Sequence, residues 1–453
     1  MIRFSEAAAL SFSIRRKVWY FAWPAIVSNI SVPLLGLVDS AVLGHLPSPE
    51  YLGGVAIAAT LFSMVFWAFG FLRMGTTGLV AQAKGRGDRD ACRKWLLQSV
   101  ACAAAIGVLL ILFSSPIFSV VLPYFDASAV VARQADIYFS ARIFSAPAVL
   151  INYALIGWLI GIQKPKGPLF ILVLGNVVNI VLDLWFVLGL GWATQGAALA
   201  TVIADYMALA GGLYIVNRTL QETGGQFSWA MLLDAVGFRR LVLLNRHLFV
   251  RTLCLLFVQS FFTAQGARLG DDILAANALL LNLMVLISNG LDGFAHAAEA
   301  LTGEAIGRKD RKLFAQVIRV TGWCSLICGG LFCLILGVGG HALLGLLTDI
   351  PEVVDQASVY LPWLVVMPLI AVWCFWLDGV FIGAVRTDMM QHTMLAATVL
   401  VFLPLWFAFK GLGNQGLWLA YTLFMGARGV GLIWVFRRFS ARDRWFAHRQ
   451  ELV

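Results

Sequence analysis

Long apolar stretches follow one another along the whole chain, separated by short polar segments. Each is 20 residues or longer, which is enough to cross a hydrocarbon core of roughly 30 Å. A β-barrel would instead show short segments of alternating polarity. The pattern predicts an all-α polytopic membrane protein with twelve spans, which lie near residues 18–42, 53–75, 95–116, 137–161, 168–190, 195–216, 247–267, 274–297, 315–338, 356–383, 391–410 and 415–436.

Lysine and arginine residues concentrate in alternate loops. Of the 33, 25 lie in loops on the side of the N-terminus, three lie on the other side, and five lie in or near spans. The positive-inside rule therefore predicts that both termini are cytoplasmic. The formal net charge of +9 is then a topology signal, and it does not indicate a nucleic-acid partner.

The two halves of the chain resemble each other at an offset of 222 residues. GWLIGIQKP (157–165) resembles GVFIGAVRT (379–387), and Asp88 matches Asp310. Parallel repeats of this kind are typical of transporters, whose path lies between the halves. We predict an N-lobe at 1–216, a cytoplasmic linker at 217–246, and a C-lobe at 247–453 with a cytoplasmic tail.

Two carboxylates lie deep inside predicted spans. Asp39 follows Lys17 by 22 residues and Asp183 follows Lys166 by 17, which corresponds to about 33 and 26 Å of helix. A carboxylate at such depth costs about 2.5–3.5 kcal/mol on insertion scales, so it faces a bundle interior or a wet cavity. We therefore expect both carboxylates to be functional.

Other oxygen-bearing side chains accompany them. Asn176 and Asn179 share a helix face with Asp183 at i, i+3 and i+7, and the next span carries Thr201 and Asp205 at i, i+4. An all-oxygen site suits sodium, while burial beside a second carboxylate suits an exchangeable proton. Alternatively, these groups only form interhelical hydrogen bonds that hold the bundle together. The predicted ion-coupling set is Asp39, Asn176, Asn179, Asp183 and Thr201.

The second half lacks these carboxylates, because Phe261 and Pro404 occupy the matching positions. Its own deep-membrane acid is Asp378, in CFWLDGVFIG. An ion site formed as above would therefore belong to the N-lobe alone.

Two prolines, Pro24 and Pro33, fall inside the first span. Proline removes a backbone hydrogen bond and kinks a helix. The span either bends when the nearby carboxylate is protonated or holds a static kink.

No enzyme motif accompanies these features. The six histidines never pair at metal-ligand spacing, and GRGDRD is a turn that lacks the Walker pattern. We expect neither an enzyme nor a cofactor, and ATP-driven transport within this chain is excluded.

Three stretches of the first 90 residues have a familiar pattern: PAIVSNISVPLLGLVDSAVLGHL, YLGGVAIAATLFS and FLRMGTTGLVAQAKG. Together with the repeat, they resemble the multidrug and toxic compound extrusion (MATE) family, in the branch typified by DNA-damage-inducible protein F. The resemblance implies a V-shaped pair of lobes and an antiporter that exports amphipathic, often cationic, compounds in exchange for protons or sodium.

The resemblance also implies site residues. The coupling site of this branch maps onto Asp39, Asn176, Asp183 and Thr201, which would also hold sodium if sodium is the coupling ion. Tyr138 and Asn152 match cavity positions, and Asp205, Asp378 and Pro24 join them as cavity or conformational residues. Another branch carries an acidic pair on the seventh and tenth spans; here only Asp378 corresponds, which favours coupling in the N-lobe.

The function expected is secondary active multidrug efflux by alternating access, coupled to protons with sodium as the alternative. We expect a monomer in the bacterial inner membrane, with drugs or toxic organic cations as substrates and the bilayer as surroundings. Two rivals remain: a flippase for a lipid-linked saccharide, and a channel or structural membrane protein.

Overall fold

Helices form the whole regular structure of the part described, which comprises residues 2–44, 48–125, 128–348 and 350–446 of a computed structural model. The first nine are α1 (Ile2–Gly44), α2 (Pro49–Ala68), α3 (Phe71–Gly85), α4 (Arg89–Leu112), α5 (Ser114–Val121), α6 (Ala129–Arg142), α7 (Ala146–Gly161), α8 (Lys166–Asp183) and α9 (Ala193–Thr223). The others are α10 (Trp229–Leu232), α11 (Ala235–Arg268), α12 (Asp271–Gly307), α13 (Arg311–Leu347), α14 (Pro351–Gly383), α15 (Thr387–Ala396), α16 (Leu403–Phe409) and α17 (Asn414–Ala441).

Eleven helical segments within the described residues are long and apolar enough to cross a membrane. Each matches one predicted span, and α1, which is 43 residues long, contains the remaining one. The prediction of an all-α membrane protein with twelve transmembrane helices is thus confirmed.

Several spans are built from more than one helix. The second span consists of α2 and α3, and the fourth consists of α6 and α7 joined by a 3₁₀ turn at Ile143–Ser145. In the fifth span α8 ends at Asp183 and a π-helical turn follows at Leu184–Gly189. A second π-helical turn, Ala397–Phe402, separates α15 from α16 in the eleventh span. The fifth span of each half therefore leaves the α-helical pattern, which frequently happens at functional sites.

The chain forms two compact units. The first, called the C-terminal unit here, comprises Met1–Ile26, Lys84–Arg86 and Leu243–Val453; the second, the N-terminal unit, comprises Val27–Ala83 and Gly87–Val242. The division between them falls inside α1, two residues after Pro24. The lobe boundaries inferred from the repeat, which assign all of α1 to the N-lobe, stay a prediction.

The linker predicted at 217–246 is partly helical and is attached to α4 within the N-terminal unit. The Gln98 side-chain amide donates to the backbone oxygens of Met231 (2.9 Å) and Asp234 (3.1 Å). Lys94 forms a salt bridge with the Asp234 carboxylate. The hydrogen bond from Lys94, followed by the backbone N–H of Gly237, holds the pKa of Asp234 below its ordinary value. The middle of the linker is thus a docked segment.

The internal repeat is visible in the local geometry of both halves. Asp88 caps α4 by accepting a hydrogen bond from the Ala91 N–H, and Asp310 caps α13 by accepting one from Leu313 N–H, each at 2.9 Å. The turns that end the repeated segments also agree, because Gln163 has φ 67° and Val385 has φ 57°. A valine rarely adopts a positive φ, so the repeat preserves the turn where the residue type does not favour it.

A close helix contact in each half repeats at the same offset. A Cβ added at Gly157 of α7 would lie 2.3 Å from the Arg73 carbonyl oxygen, and one at Gly379 of α14 would lie 2.3 Å from the Ala295 carbonyl oxygen. Only glycine permits two backbones to approach this closely. These glycines therefore fix the separation of the fourth and second spans, and of the tenth and eighth.

We expect Gly157→Ala to lower the melting temperature of the protein in detergent, at a cost of roughly 1–3 kcal/mol for overpacking against backbone. The control is Gly330→Ala in α13, because a Cβ there meets nothing within 4 Å and alanine is the better helix former. Thermal unfolding followed by tryptophan fluorescence compares the two. Equal stability of both variants would contradict the close approach.

Candidate functional site

The face of α8 that carries Asn176, Asn179 and Asp183 is the centre of the candidate site. Asn179 and Asp183 are buried, with 1% and 2% of their surfaces exposed. Asp183 is the last residue of α8, at the point where the π-helical turn begins. The carboxylate therefore lies in the protein interior at a change of helix geometry.

Asn179 is bonded to the neighbouring span. Its side-chain amide donates to the Thr201 hydroxyl at 3.2 Å, and that hydroxyl in turn donates to the Ala197 carbonyl oxygen at 3.0 Å. Because Thr201 has one proton to donate, these two bonds fix the direction of its hydroxyl. The predicted association of Asn179 with Thr201 agrees with this contact.

The side-chain oxygen of Asn179 takes no part in these bonds. Among the described residues, the Asn179 side-chain oxygen is buried and has no hydrogen-bond partner. Asp183 follows four residues later on the same helix face. Burying an amide oxygen without a partner costs about 1–3 kcal/mol, so this oxygen is a ready ligand for a proton-bearing group or a cation.

Asn176 connects α8 with α1. Its amide donates to the Ser31 hydroxyl at 3.1 Å and to the Ser31 carbonyl oxygen at 3.3 Å. Spans one and five run in the same direction because spans alternate. Asp39 is eight residues beyond Ser31 and Asp183 is seven beyond Asn176, about 12 and 10.5 Å of helix rise. The hydrogen bond thus sets a register in which both acids have nearly the same depth.

Asp39 itself lies within α1, but its side chain is outside the described part of the structure, as is that of Pro33. Pro24 is buried, and α1 is helical on both sides of it. In the C-terminal unit, Gly293 of α12 approaches the helix here, because a Cβ at Gly293 would lie 3.0 Å from the Ala22 carbonyl oxygen. Pro24 therefore lies at a contact between α1 and α12.

A second cluster of polar side chains surrounds the break between α6 and α7. Arg142 donates to the Tyr138 hydroxyl at 2.6 Å, and its guanidinium lies 5.4 Å from the centre of the Phe62 ring. The Asp205 carboxylate interacts electrostatically with Arg142, and the Asn152 amide donates to the Asp205 backbone oxygen at 3.4 Å. The structure thus brings Tyr138, Asn152 and Asp205 together near the guanidinium group of Arg142.

Sequence reasoning overlooked Arg142 and Ser31 as members of these clusters. The signal for Arg142 was its charge inside a predicted span, which by itself marks a functional candidate. Ser31 gave no such signal, because a serine in an apolar helix is common and its partner lies 145 positions away.

Asp378 belongs to a different cluster, in the C-terminal unit. Its carboxylate contacts the guanidinium groups of Arg251 and Arg428. The sequence places both arginines in or near spans but does not indicate their common partner. Among the described residues, no group of three or more His, Cys, Asp or Glu side chains is arranged to hold a metal ion.

Comparison with known proteins now decides the family. The sequence profile of the MatE family matches residues 24–185 and 248–407. The chain belongs to the MatE family. It is a multi-pass transporter of the multidrug and toxin efflux class, as the resemblance predicted.

Relatives of this MatE chain cover nearly its full length. It is 44% identical to DNA damage-inducible protein F of Escherichia coli K12, over 95% of this chain and 94% of the relative. It is 24% identical to "Probable multidrug resistance protein NorM" of Thermotoga maritima, over 87% and 84%. Neither name favours the lipid-linked saccharide flippase considered above.

A solved structure has the same fold as this MatE chain. A multidrug resistance MATE family transporter of the MOP superfamily, in an outward-facing conformation, has a TM-score of 0.82. It is 20% identical, with 94% of this chain and 96% of that chain covered. The likeness supports the twelve-helix, two-lobed fold.

We expect Thr201→Val to destabilise the protein by about 1–3 kcal/mol, because it leaves the buried Asn179 amide without an acceptor. The matched control is Thr60→Val, since Thr60 is exposed and its hydroxyl donates to the Ala56 carbonyl oxygen of its own helix. Thermal unfolding in detergent compares them. If both variants have the melting temperature of the wild type, the Asn179–Thr201 hydrogen bond contributes nothing to the free energy of unfolding.

Proposed function

We propose that this transporter exports amphipathic, cationic compounds in exchange for protons, and that Asp39 and Asp183 in the N-terminal half carry the exchanged proton. The observation behind the proposal is the buried Asn179 oxygen without a partner, one turn before buried Asp183. A proton on the carboxyl group supplies a donor for such an oxygen, whereas an ionised carboxylate repels it.

The register of α1 and α8 supports a role for the pair of acids. The Ser31–Asn176 hydrogen bond gives Asp39 and Asp183 similar depth, and two carboxylates in one low-dielectric region do not both ionise readily. The unpartnered Asn179 oxygen and the second acid both favour a protonated carboxyl group at Asp183. Loss of this proton removes the donor for the Asn179 oxygen and alters the contact between α1 and α8.

The proton thus provides a two-state element for alternating access. In the protonated state α1 and α8 are held by neutral hydrogen bonds, and in the ionised state the carboxylate requires water or a cationic substrate. Exchange of a cationic compound for a proton follows, because both compete for the same negative charge. Tyr138 and Asp205 lie on α6 and α9 of the same unit, where they would contact the bound compound.

Sodium is the alternative coupling ion. Carboxylate, amide and hydroxyl oxygens from Asp183, Asn179 and Thr201 are ligands that hard cations accept. The same site would then hold sodium in place of the proton, and substrate would displace it.

The cellular setting proposed is the bacterial inner membrane, with both termini in the cytoplasm. The support is the excess of Lys and Arg in the loops on the N-terminal side. A single chain contains both halves of the repeat, so we propose that the monomer is the transporting unit.

The decisive experiment is proton release from purified protein in detergent on adding tetraphenylphosphonium, with and without sodium. We expect release from the wild type, and at least a tenfold smaller release from Asp39→Asn and from Asp183→Asn. Asp136→Asn is the control, because Asp136 is an exposed carboxylate of α6. It should release protons as the wild type does.

The other outcomes separate the alternatives. Absence of proton release, combined with sodium-dependent binding of tetraphenylphosphonium, assigns the site to sodium. Equal release from wild type and both site variants contradicts coupling at these acids.

We further propose that α1 bends at Pro24 during transport, because the division between the two compact units falls just after it. Pro24→Ala restores a backbone donor and stiffens the helix. We expect efflux from proteoliposomes to fall about tenfold while tetraphenylphosphonium binding stays within twofold.

The control for this variant is Pro362→Ala, since Pro362 also lies inside a helix, α14, but is exposed. Its transport should match the wild type. Normal transport by Pro24→Ala would show that the proline is a static feature of α1.

A further inference from the structure

Three buried charges of the C-terminal unit form one cluster. The Asp378 Oδ2 atom accepts from the Arg251 guanidinium and from Arg428 Nη2, the latter at 3.1 Å. The exposed fractions of Arg251, Asp378 and Arg428 are 6%, 7% and 2%. Two cations from α11 and α17 therefore share one carboxylate oxygen of α14.

The charges in this cluster do not balance. Among the described residues, the ionisable groups that interact with Arg428 are Cys374, Asp378 and Tyr421. A thiol and a phenol are neutral near pH 7, so Asp378 is the negative charge among the groups around Arg428, and the same carboxylate also pairs with Arg251. An uncompensated buried charge costs several kcal/mol in a protein interior, and an anion is the group that would remove this cost.

An unused donor accompanies the excess charge. Within the described residues, the Arg251 Nε atom is buried and has no hydrogen-bond partner. Since a guanidinium is a planar fork that matches carboxylate, sulfonate and phosphate groups, a free N–H on it has a defined preference for such acceptors.

The surroundings are apolar and aromatic. The Arg428 guanidinium lies 5.7 Å from the centre of the Phe424 ring, and its Nη1 atom contacts the Met425 sulfur at 3.2 Å. Phe424 and Tyr421 are themselves ring neighbours at 6.3 Å. A ligand that suits these neighbours has an apolar body in addition to its charged group.

The cluster lies in the cytoplasmic half of the unit. Asp378 is five residues before Gly383, the end of α14, or about 8 Å of helix rise. In the topology proposed above, this end of α14 is cytoplasmic. A compound arriving from the cytoplasm or from the inner leaflet is therefore close to it.

We propose that Arg251 and Arg428, held by Asp378, form a binding site for the anionic group of an amphipathic compound. The site takes a carboxylate, sulfonate or phosphate, from a soluble organic anion or from a lipid headgroup. It goes beyond the proton-coupled export proposed above, since it adds acidic amphiphiles to the compounds that the protein binds. Its residues are separate from Asp39 and Asp183.

The test is equilibrium dialysis of purified full-length protein in an uncharged detergent, with empty micelles subtracted. The probe is naphthalene-2-sulfonate, and 2-naphthylmethylammonium is its matched cation. We expect Arg251→Gln, which leaves Arg428 and Asp378 as a neutral pair, to weaken sulfonate binding at least tenfold. Arg251→Lys, which keeps the charge, should stay within about threefold of the wild type.

The control is Arg319→Gln, because Arg319 is an exposed arginine of α13 in the same unit. Sulfonate binding should not change, and cation binding should be the same in every variant. If Arg251→Gln does not fold, the wild type still decides the matter. Absence of saturable sulfonate binding to the wild type would overturn the site.

Competition identifies the source of the anion. Displacement of the sulfonate by phosphatidylglycerol in mixed micelles, but not by phosphatidylcholine, assigns the site to a headgroup. Retention of the probe against both lipids assigns it to soluble amphiphiles. Both results uphold the anion site, and unchanged sulfonate binding in Arg251→Gln contradicts it. Because proton release plays no part in this assay, its outcome is independent of the coupling experiment.

Discussion

The cost of placing polar groups inside a helix bundle surrounded by lipid is the constraint on which this structure depends. Within the hydrocarbon region, each backbone donor and acceptor must be satisfied within the protein, which is why the regular elements are helices. The same cost applies to side chains, so each buried amide, hydroxyl and charge requires a hydrogen-bond partner, an opposite charge or a bound ligand. Asn176 meets this requirement through Ser31, and Asn179 meets half of it through Thr201.

The two halves use one scaffold for different chemistry. Their caps, turns and glycine contacts agree at an offset of 222 residues, as Asp88 and Asp310 illustrate. Their buried charges do not agree. In the N-terminal unit Asp183 lies one turn beyond Asn179, whose amide bonds to Thr201, whereas the C-terminal unit pairs Asp378 with two guanidinium groups. A duplicated fold thus leaves each half free to carry a different set of buried charges.

Departures from regular helix occur where this chemistry is found. Asp183 directly precedes a π-helical turn, and Arg142 ends α6 just before the 3₁₀ turn that leads into α7. A local change of helix type frees backbone groups and changes the direction of side chains. The fifth span of the second half has a π-helical turn as well, but Ala396, and not an acid, directly precedes it. The turn is therefore a feature of the repeat, and the carboxylate is an addition made in one half.

The amino-acid sequence alone determined the membrane class, the twelve spans, the repeat and the deep carboxylates. The bilayer sets the length of the apolar stretches and the distribution of charge between loops, so these features are read from the sequence without knowledge of tertiary contacts. The sequence also placed Asn176, Asn179 and Asp183 on one helix face, because helical periodicity is local. Only the tertiary structure decided that Asn176 bonds to Ser31, that Arg142 joins Asp205, and that Arg251 and Arg428 share Asp378. These pairings join residues between 50 and 145 positions apart, and they depend on how the helices pack, which periodicity within one span does not specify.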